Sequence, residues 1–222
     1  MTSGPYADRN IYVRSERAGQ RVMASVTSFI ERRLRLKVNA QKSAVARPEE
    51  RHFLGFSLRR EPMDGNVEVK LSKRSKERID GKIRELTPRN WGNTLKACIS
   101  EVNTYLVGWI GFFRICTVEV EKMLGKLDAH IRRRLRAIQL AQWKRRYTIA
   151  RKLIEYGIRP KRVWPAVYQG RKSFWAMSHI SAVDRALPNS HWDKRGLESL
   201  LRRYREYTAQ SVAPVQLTLA LG

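Results

Sequence analysis

Cysteine is nearly absent from this chain: Cys98 and Cys116 are the only two in 222 residues. Neither has a His or Cys neighbour at zinc-ligand spacing, which excludes a zinc module of the usual kind. Both stand in apolar-rich helical sequence and read as buried free thiols in a reducing cytoplasm. The four histidines, His52, His130, His179 and His191, form no metal constellation. No apolar run approaches the ~18 residues of a spanning helix, and "MTSGPYADRN" lacks the apolar segment of a signal peptide. The expected location is therefore cytoplasmic, without a membrane partner. Gly-rich phosphate loops of the Walker or dinucleotide type are missing, as are convincing Ser-His-Asp or Cys-His arrangements.

Acidic residues are scarce too. Forty-five Lys and Arg face 20 Asp and Glu, a net charge of +25. Hydrophobic content of 42% with 29% charged residues describes a globular chain rather than a disordered one. A surplus this large repels itself unless a polyanion neutralises it, so nucleic acid is the expected partner. Residues 1–70 hold 14 basic and 8 acidic side chains, net +6, whereas 71–222 hold 31 and 12, net +19. The polyanion-binding surface is therefore placed mainly in the second part.

The first part reads as mixed α and β. "NIYVR" (10–14) is β-prone, and Val22, Val26, Ile30 and Leu34 recur every four residues, predicting a helix with one buried face. "LRLKV" (34–38) alternates as a strand does, "FLGFSL" (53–58) reads as another, and "VEVKL" (67–71) as a third. Asp64-Gly65 signals a hairpin turn between the last two. From Leu71 the periodicity becomes helical. Ile79, Ile83 and Leu86 share one face behind Ser72, a candidate cap, and "TP" at 87–88 ends the run. A second helix follows Leu95, Ile99, Val102, Leu106, Trp109 and Phe113, with Gly108 expected to admit a close neighbour. A third follows Val120, Leu124, Leu127, Ile131, Leu135 and Ile138. Shorter pieces come around 147–156 and at 194–207, and the residues after them, uncharged from Thr208, read as a mobile tail. The fold class expected is α+β, mostly α, with an antiparallel helical bundle after a small β-hairpin and helix.

The densest basic segment, "KLDAHIRRRLRAIQLAQWKRRY" (126–147), carries eight Lys and Arg and one Asp. Its apolar stripe leaves Arg132, Arg133 and Arg136 on other faces, with Arg132 and Arg136 one turn apart. Such a row can meet successive phosphates, each guanidinium gripping one through two hydrogen bonds. A charge run is more often a solvated face. Here the lack of compensating acids favours nucleic acid. Arg134, Lys144, Arg145, Arg146, Arg171 and Lys172 complete the expected RNA-binding set. Aromatics accompany these cations in "WKRRY" (143–147), "RVWPAVYQGRKSFW" (162–175) and "HWDKR" (191–195). Most Trp residues of a small domain are core, so only one or two of Trp164, Tyr168, Phe174 and Trp175 are expected to stack on a base.

Read together, these blocks resemble the C-terminal half of a bacterial group II intron-encoded reverse transcriptase/maturase. "YADRNIYVRSERAGQRV" resembles the family's catalytic-turn block, and "LRLKVNAQKS" (34–43) the next palm block, with Asn39 and Lys42 in the matching places. "FLGF" (53–56) resembles the block that ends the palm. "NTLKACISEVNTYLVGWIGFFR" (93–114) and "LDAHIRRRLRAIQLAQWKRR" (127–146) resemble the maturase, or thumb, domain. "GRKSFWAMSHISAVDRALPNSHWDKRGLESLLRRY" (170–204) resembles the segment closing many members. The resemblance implies a truncated palm remnant over 1–70, a maturase/thumb bundle over 71–147, a helical extension over 148–207 and a flexible tail over 208–222.

The family copies RNA into DNA with Mg²⁺ and binds intron RNA to assist splicing. Two-metal nucleotidyl transfer needs several carboxylates converging on the ions. Asp8 is the sole carboxylate of "YADR", with Arg9 where the family has a second Asp, and only seven residues precede it. The expectation is a vestigial Asp8, no functional Mg²⁺ or other cofactor, and no polymerase activity by this chain alone. Two readings stay open: an RNA-binding maturase-like module for structured intron RNA, and a degraded remnant that is inert or active only when a companion supplies the fingers and upstream palm. Without such a companion, residues 10–58 are expected to leave apolar surface open. "QLTLA" (216–220) faintly resembles peptides that dock on bacterial sliding clamps. Ala220 stands where an aromatic is needed, so a clamp is not an expected partner.

Overall fold

The computed structural model describes residues 11–47, 50, 52–60, 67–88, 92–169 and 173–212. Asp8, the Asp64-Gly65 turn, Arg171, Lys172 and "QLTLA" lie outside the described residues. The fold is mostly helical with one small antiparallel sheet, in two compact units, Met1–Ser72 and Lys73–Gly222.

In the first unit, α1 (Glu16–Arg33) opens on Ser15, whose hydroxyl accepts the Ala18 N–H at 3.3 Å. Glu16 in the first turn and Arg32 and Arg33 in the last complement the helix dipole. The helix forms as its periodicity requires, but the expected buried face does not: none of its residues is buried, and Val26 and Phe29 are exposed. Residues 34–38 and 11–14 are not strands. Alternation makes a strand only where a neighbour takes up the backbone N–H and C=O groups. Here Arg35 turns left-handed (φ 50°) and the Leu36 N–H returns to Ile30 C=O at 3.2 Å, closing the helix end instead. The chain comes back across α1 at Gly19, where a Cβ would meet Val45 Cγ1 at 2.6 Å.

"FLGFSL" is two strands rather than one. Leu54 and Gly55 both have positive φ (51° and 87°), the requirement of a tight two-residue hairpin. They separate β1 (His52–Phe53) from β2 (Phe56–Arg60), with Phe53 opposite Phe56. β3 (Val67–Leu71) completes an antiparallel sheet of order β1-β2-β3, pairing Phe56 with Leu71 and Arg59 with Glu68. Phe56 and Leu71 are buried at one end of this ladder.

The second unit begins with α2 (Lys73–Leu86), α3 (Leu95–Phe113) and α4 (Val120–Trp143). Their inner faces follow the four-and-three spacing. Ile79 and Ile83, then Cys98, Val102, Leu106 and Ile110, then Leu124, Ile131, Leu135 and Ile138 are buried. Burial of each such side chain contributes about 1.5–3 kcal/mol before conformational entropy is set against it. Gly108 admits no close neighbour: it is exposed and a Cβ there would meet nothing within 4 Å.

Smaller helices follow: α5 (Arg146–Glu155), α6 (Pro160–Tyr168), α7 (Phe174–Met177), α8 (Ser181–Ala186) and α9 (Asn189–Asp193). The final helix, α10 (Leu200–Val212), starts later and ends later than its sequence signal. Gly196 (φ 79°) breaks the chain before it, and a cap from another helix fixes its start. Buried Asp128 of α4 accepts the Leu200 and Leu201 N–H groups at 2.9 and 3.2 Å and the Ser199 hydroxyl at 2.6 Å. A carboxylate at a helix N-terminus is favoured by the dipole. α10 packs on α3 and α4; α4 also packs on α5 and α7, and α5 on α6 and α8.

Candidate nucleic-acid interface

The arginines of α4 divide by what they touch. Arg134 donates to Thr87 Oγ1, to Thr87 C=O at 2.6 Å and to Arg84 C=O at 3.2 Å. These carbonyls end α2, so Arg134 caps a neighbouring helix, as cations do at C-termini. Arg136 does the same for α8. Its Nε and Nη2 donate to Leu187 C=O at 3.1 and 3.0 Å, and Nη1 meets Asp184 at 2.6 Å. It is only 9% exposed. Burial pulls its pKa down, Asp184 raises it and Arg132 lowers it. The exposed row expected from Arg132 to Arg136 is thus broken. Arg136 faces inward, because the carbonyl end of α8 offers a guanidinium partners that the helical-wheel view leaves out.

Arg133 lies over the Trp175 ring, 4.1 Å from its centroid, and His130 meets the same ring edge-on at 5.9 Å. Trp175 is therefore half-buried between α4 side chains, a packing position rather than an open stacking face; Phe174 beside it is half-buried as well. Arg132 is half-exposed and has no carboxylate within 4 Å among the described residues. The one acid of the basic segment, Asp128, is buried in its cap and leaves the outer surface uncompensated.

The remaining cations gather where α4 turns into α5. Lys144 has φ 59° and ψ −68°, and across it the Arg145 N–H bonds to Trp143 C=O at 2.7 Å. This is the strained form of the γ-turn, uncommon for a residue with a side chain. It leaves Lys144 and Arg145 exposed, with no carboxylate within 4 Å among the described residues. Arg146 begins α5 and donates to Tyr168 C=O at 3.3 Å. Beside it Tyr147, Trp164 and Tyr168 stand in a row, with neighbouring ring centroids 5.8 and 5.9 Å apart. Trp164 is half-buried and the two tyrosines are exposed. Tyr147 is the member that sequence reasoning left unassigned; its signal was its place in "WKRRY".

The family model for the group II intron maturase-specific domain matches residues 76–156. This region is maturase-like. It covers just over a third of the chain and takes in most of α2, all of α3 and α4, and α5 with Tyr156. No curated protein matches the chain. Within the maturase region fall Arg132, Arg133, Arg134, Arg136, Lys144, Arg145 and Arg146, while Trp164, Tyr168, Phe174 and Trp175 lie beyond it. Its two thiols are buried: burial pushes Cys98 up to about 12 and Cys116 to about 11, which makes both poor nucleophiles.

Outside the maturase region, Asn39 spends its side chain locally, its Oδ1 accepting the Gln41 and Lys42 N–H groups at 3.1 and 3.2 Å. Lys42 is exposed in the same turn. Among the described residues no group of three or more His, Cys, Asp or Glu side chains converges as a metal site would, and no helix is long and apolar enough to cross a membrane.

Proposed function

We propose that the protein is an RNA-binding module that holds structured group II intron RNA, and so assists its splicing, without polymerising nucleic acid by itself. The observation that carries this reading is the corner between α4 and α5. There Lys144 and Arg145 and, further along α4, Arg132 present cations with no carboxylate within 4 Å among the described residues, in a region of maturase type. Guanidinium and ammonium groups placed this way meet successive phosphates and release counterions from the RNA. The test is a titration of the purified protein against a group II intron RNA and a length-matched control across a range of salt. Tight binding that prefers the intron and survives near-physiological salt is expected. Changing Arg132, Lys144 and Arg145 together to Ala should lower the slope of log K against log salt by about 0.7–0.9 per lost phosphate contact. An unchanged slope places the RNA elsewhere, and weak, salt-abolished binding equal for both RNAs removes the function.

A second reading has one observation in its favour. Phe29, Leu34, Leu36 and Leu54 of the first unit are exposed, as expected of a palm portion awaiting further chain. In that reading a companion carrying fingers and upstream palm completes a polymerase. Primer extension by the reconstituted pair, absent from either part alone, would establish it.

A further inference from the structure

We propose that the ring row Tyr147–Trp164–Tyr168 is a stacking platform for unpaired RNA bases, a site distinct in chemistry from the phosphate contacts and resting on the RNA-binding reading above. Three observations converge on it. The row runs between two helices: Tyr147 stands in the first turn of α5 and Trp164 and Tyr168 one turn apart on α6, with interplanar angles of 40° and 35°. Its middle ring is half-buried and anchors the row, while Tyr147 and Tyr168 are 58% and 48% exposed. Rings held by packing on one side and open on the other accept a flat apolar partner at little entropic cost.

The charged residues next to Tyr147 in sequence on its N-terminal side are all cations. Lys144, Arg145 and Arg146 adjoin Tyr147 in sequence, and Arg146 reaches the Tyr168 carbonyl, tying the cations to the far end of the row. The carboxylate of α5, Glu155, lies eight residues along the helix, about 12 Å away by its rise, and is occupied by Lys152 at 2.7 Å and Arg151 at 3.6 Å. Base faces against aromatic rings with phosphates against neighbouring cations is the pattern by which single strands are bound. Base pairs inside a duplex cannot use it, because both of their faces are already stacked.

The experiment compares two RNA probes on the full chain: a blunt duplex and the same duplex carrying a five-nucleotide unpaired loop. The wild type should prefer the looped probe. Tyr147→Ala with Tyr168→Ala should weaken the looped probe about tenfold, leave the duplex unchanged and leave the salt slope unchanged, since no cation is removed. Tyr147→Phe with Tyr168→Phe should retain wild-type affinity. Equal loss on both probes, no loss, or Phe variants as weak as Ala would overturn the platform. A 2-aminopurine placed in the loop gives a reading independent of the variants: quenching on binding wild type supports stacking, and unchanged emission refutes it. Duplex binding without loop preference defeats the platform alone; failure to bind either probe defeats the RNA-binding reading with it.

Discussion

At Arg136 one guanidinium holds two hydrogen bonds to Leu187 C=O and an ion pair with Asp184. Removing it strands the carbonyl end of α8, so Arg136→Met should cost about 2–4 kcal/mol, read as a lower urea midpoint with unchanged m. Lys should restore little, because an ammonium lacks the planar fork that reaches both acceptors. Lys144 is the opposite case, a residue whose backbone opposes stability. Glycine occupies positive φ without the Cβ penalty, so Lys144→Gly should raise stability by about 1 kcal/mol whereas Lys144→Ala should not. If the side chain meets a phosphate, both variants lower RNA affinity equally. A Gly variant that is more stable and still binds as wild type would separate the strained turn from RNA binding.

Among the elements, the bundle helices were legible because apolar residues at four-and-three spacing leave one packing solution. α2, α3 and α4 form where Ile79, Leu106 and Leu135 predict. Residues 34–38 were misread because alternation shows which face could be buried, not whether a neighbouring strand exists. The cations were legible as a density, but their division into helix caps and free surface depends on α8 and the end of α2, which are 50 or so positions away in sequence. α1 shows the same limit: its periodicity is real, yet none of its residues is buried. Phe29→Ser with Leu36→Ser should therefore cost under about 0.5 kcal/mol, the ordinary effect of surface substitutions, while reducing dye binding to exposed apolar surface and aggregation. A loss of several kcal/mol would show that these side chains are packed.

Over the whole molecule, a charge of +25 bears on every group that can gain a proton. His130 is pushed below the ordinary histidine pKa of 6.5 first by burial; Asp80 opposes this, and Arg134, Arg84 and Arg133 add to it. His191 is lowered by burial, then by Arg195 and Arg136. Both folded-state values lie below the unfolded value, so as pH falls through the unfolded pKa the unfolded chain takes up protons first and stability is lost. The loss continues until pH falls below the folded values. The melting temperature should therefore drop as pH falls through about 6.5, and His130→Gln with His191→Gln should flatten that drop. Glu121 and Glu155, lowered by hydrogen bonds to Arg205 and Lys152, lose their contribution only as pH falls below the carboxylate value of 4.5, outside this window. Salt separates the two causes. At about 1 M salt the screening length is ~3 Å and arginine repulsion fades, while desolvation does not. Most of the drop should persist, because burial is the larger cause at both histidines; a drop abolished by salt would assign it to the cationic surface instead.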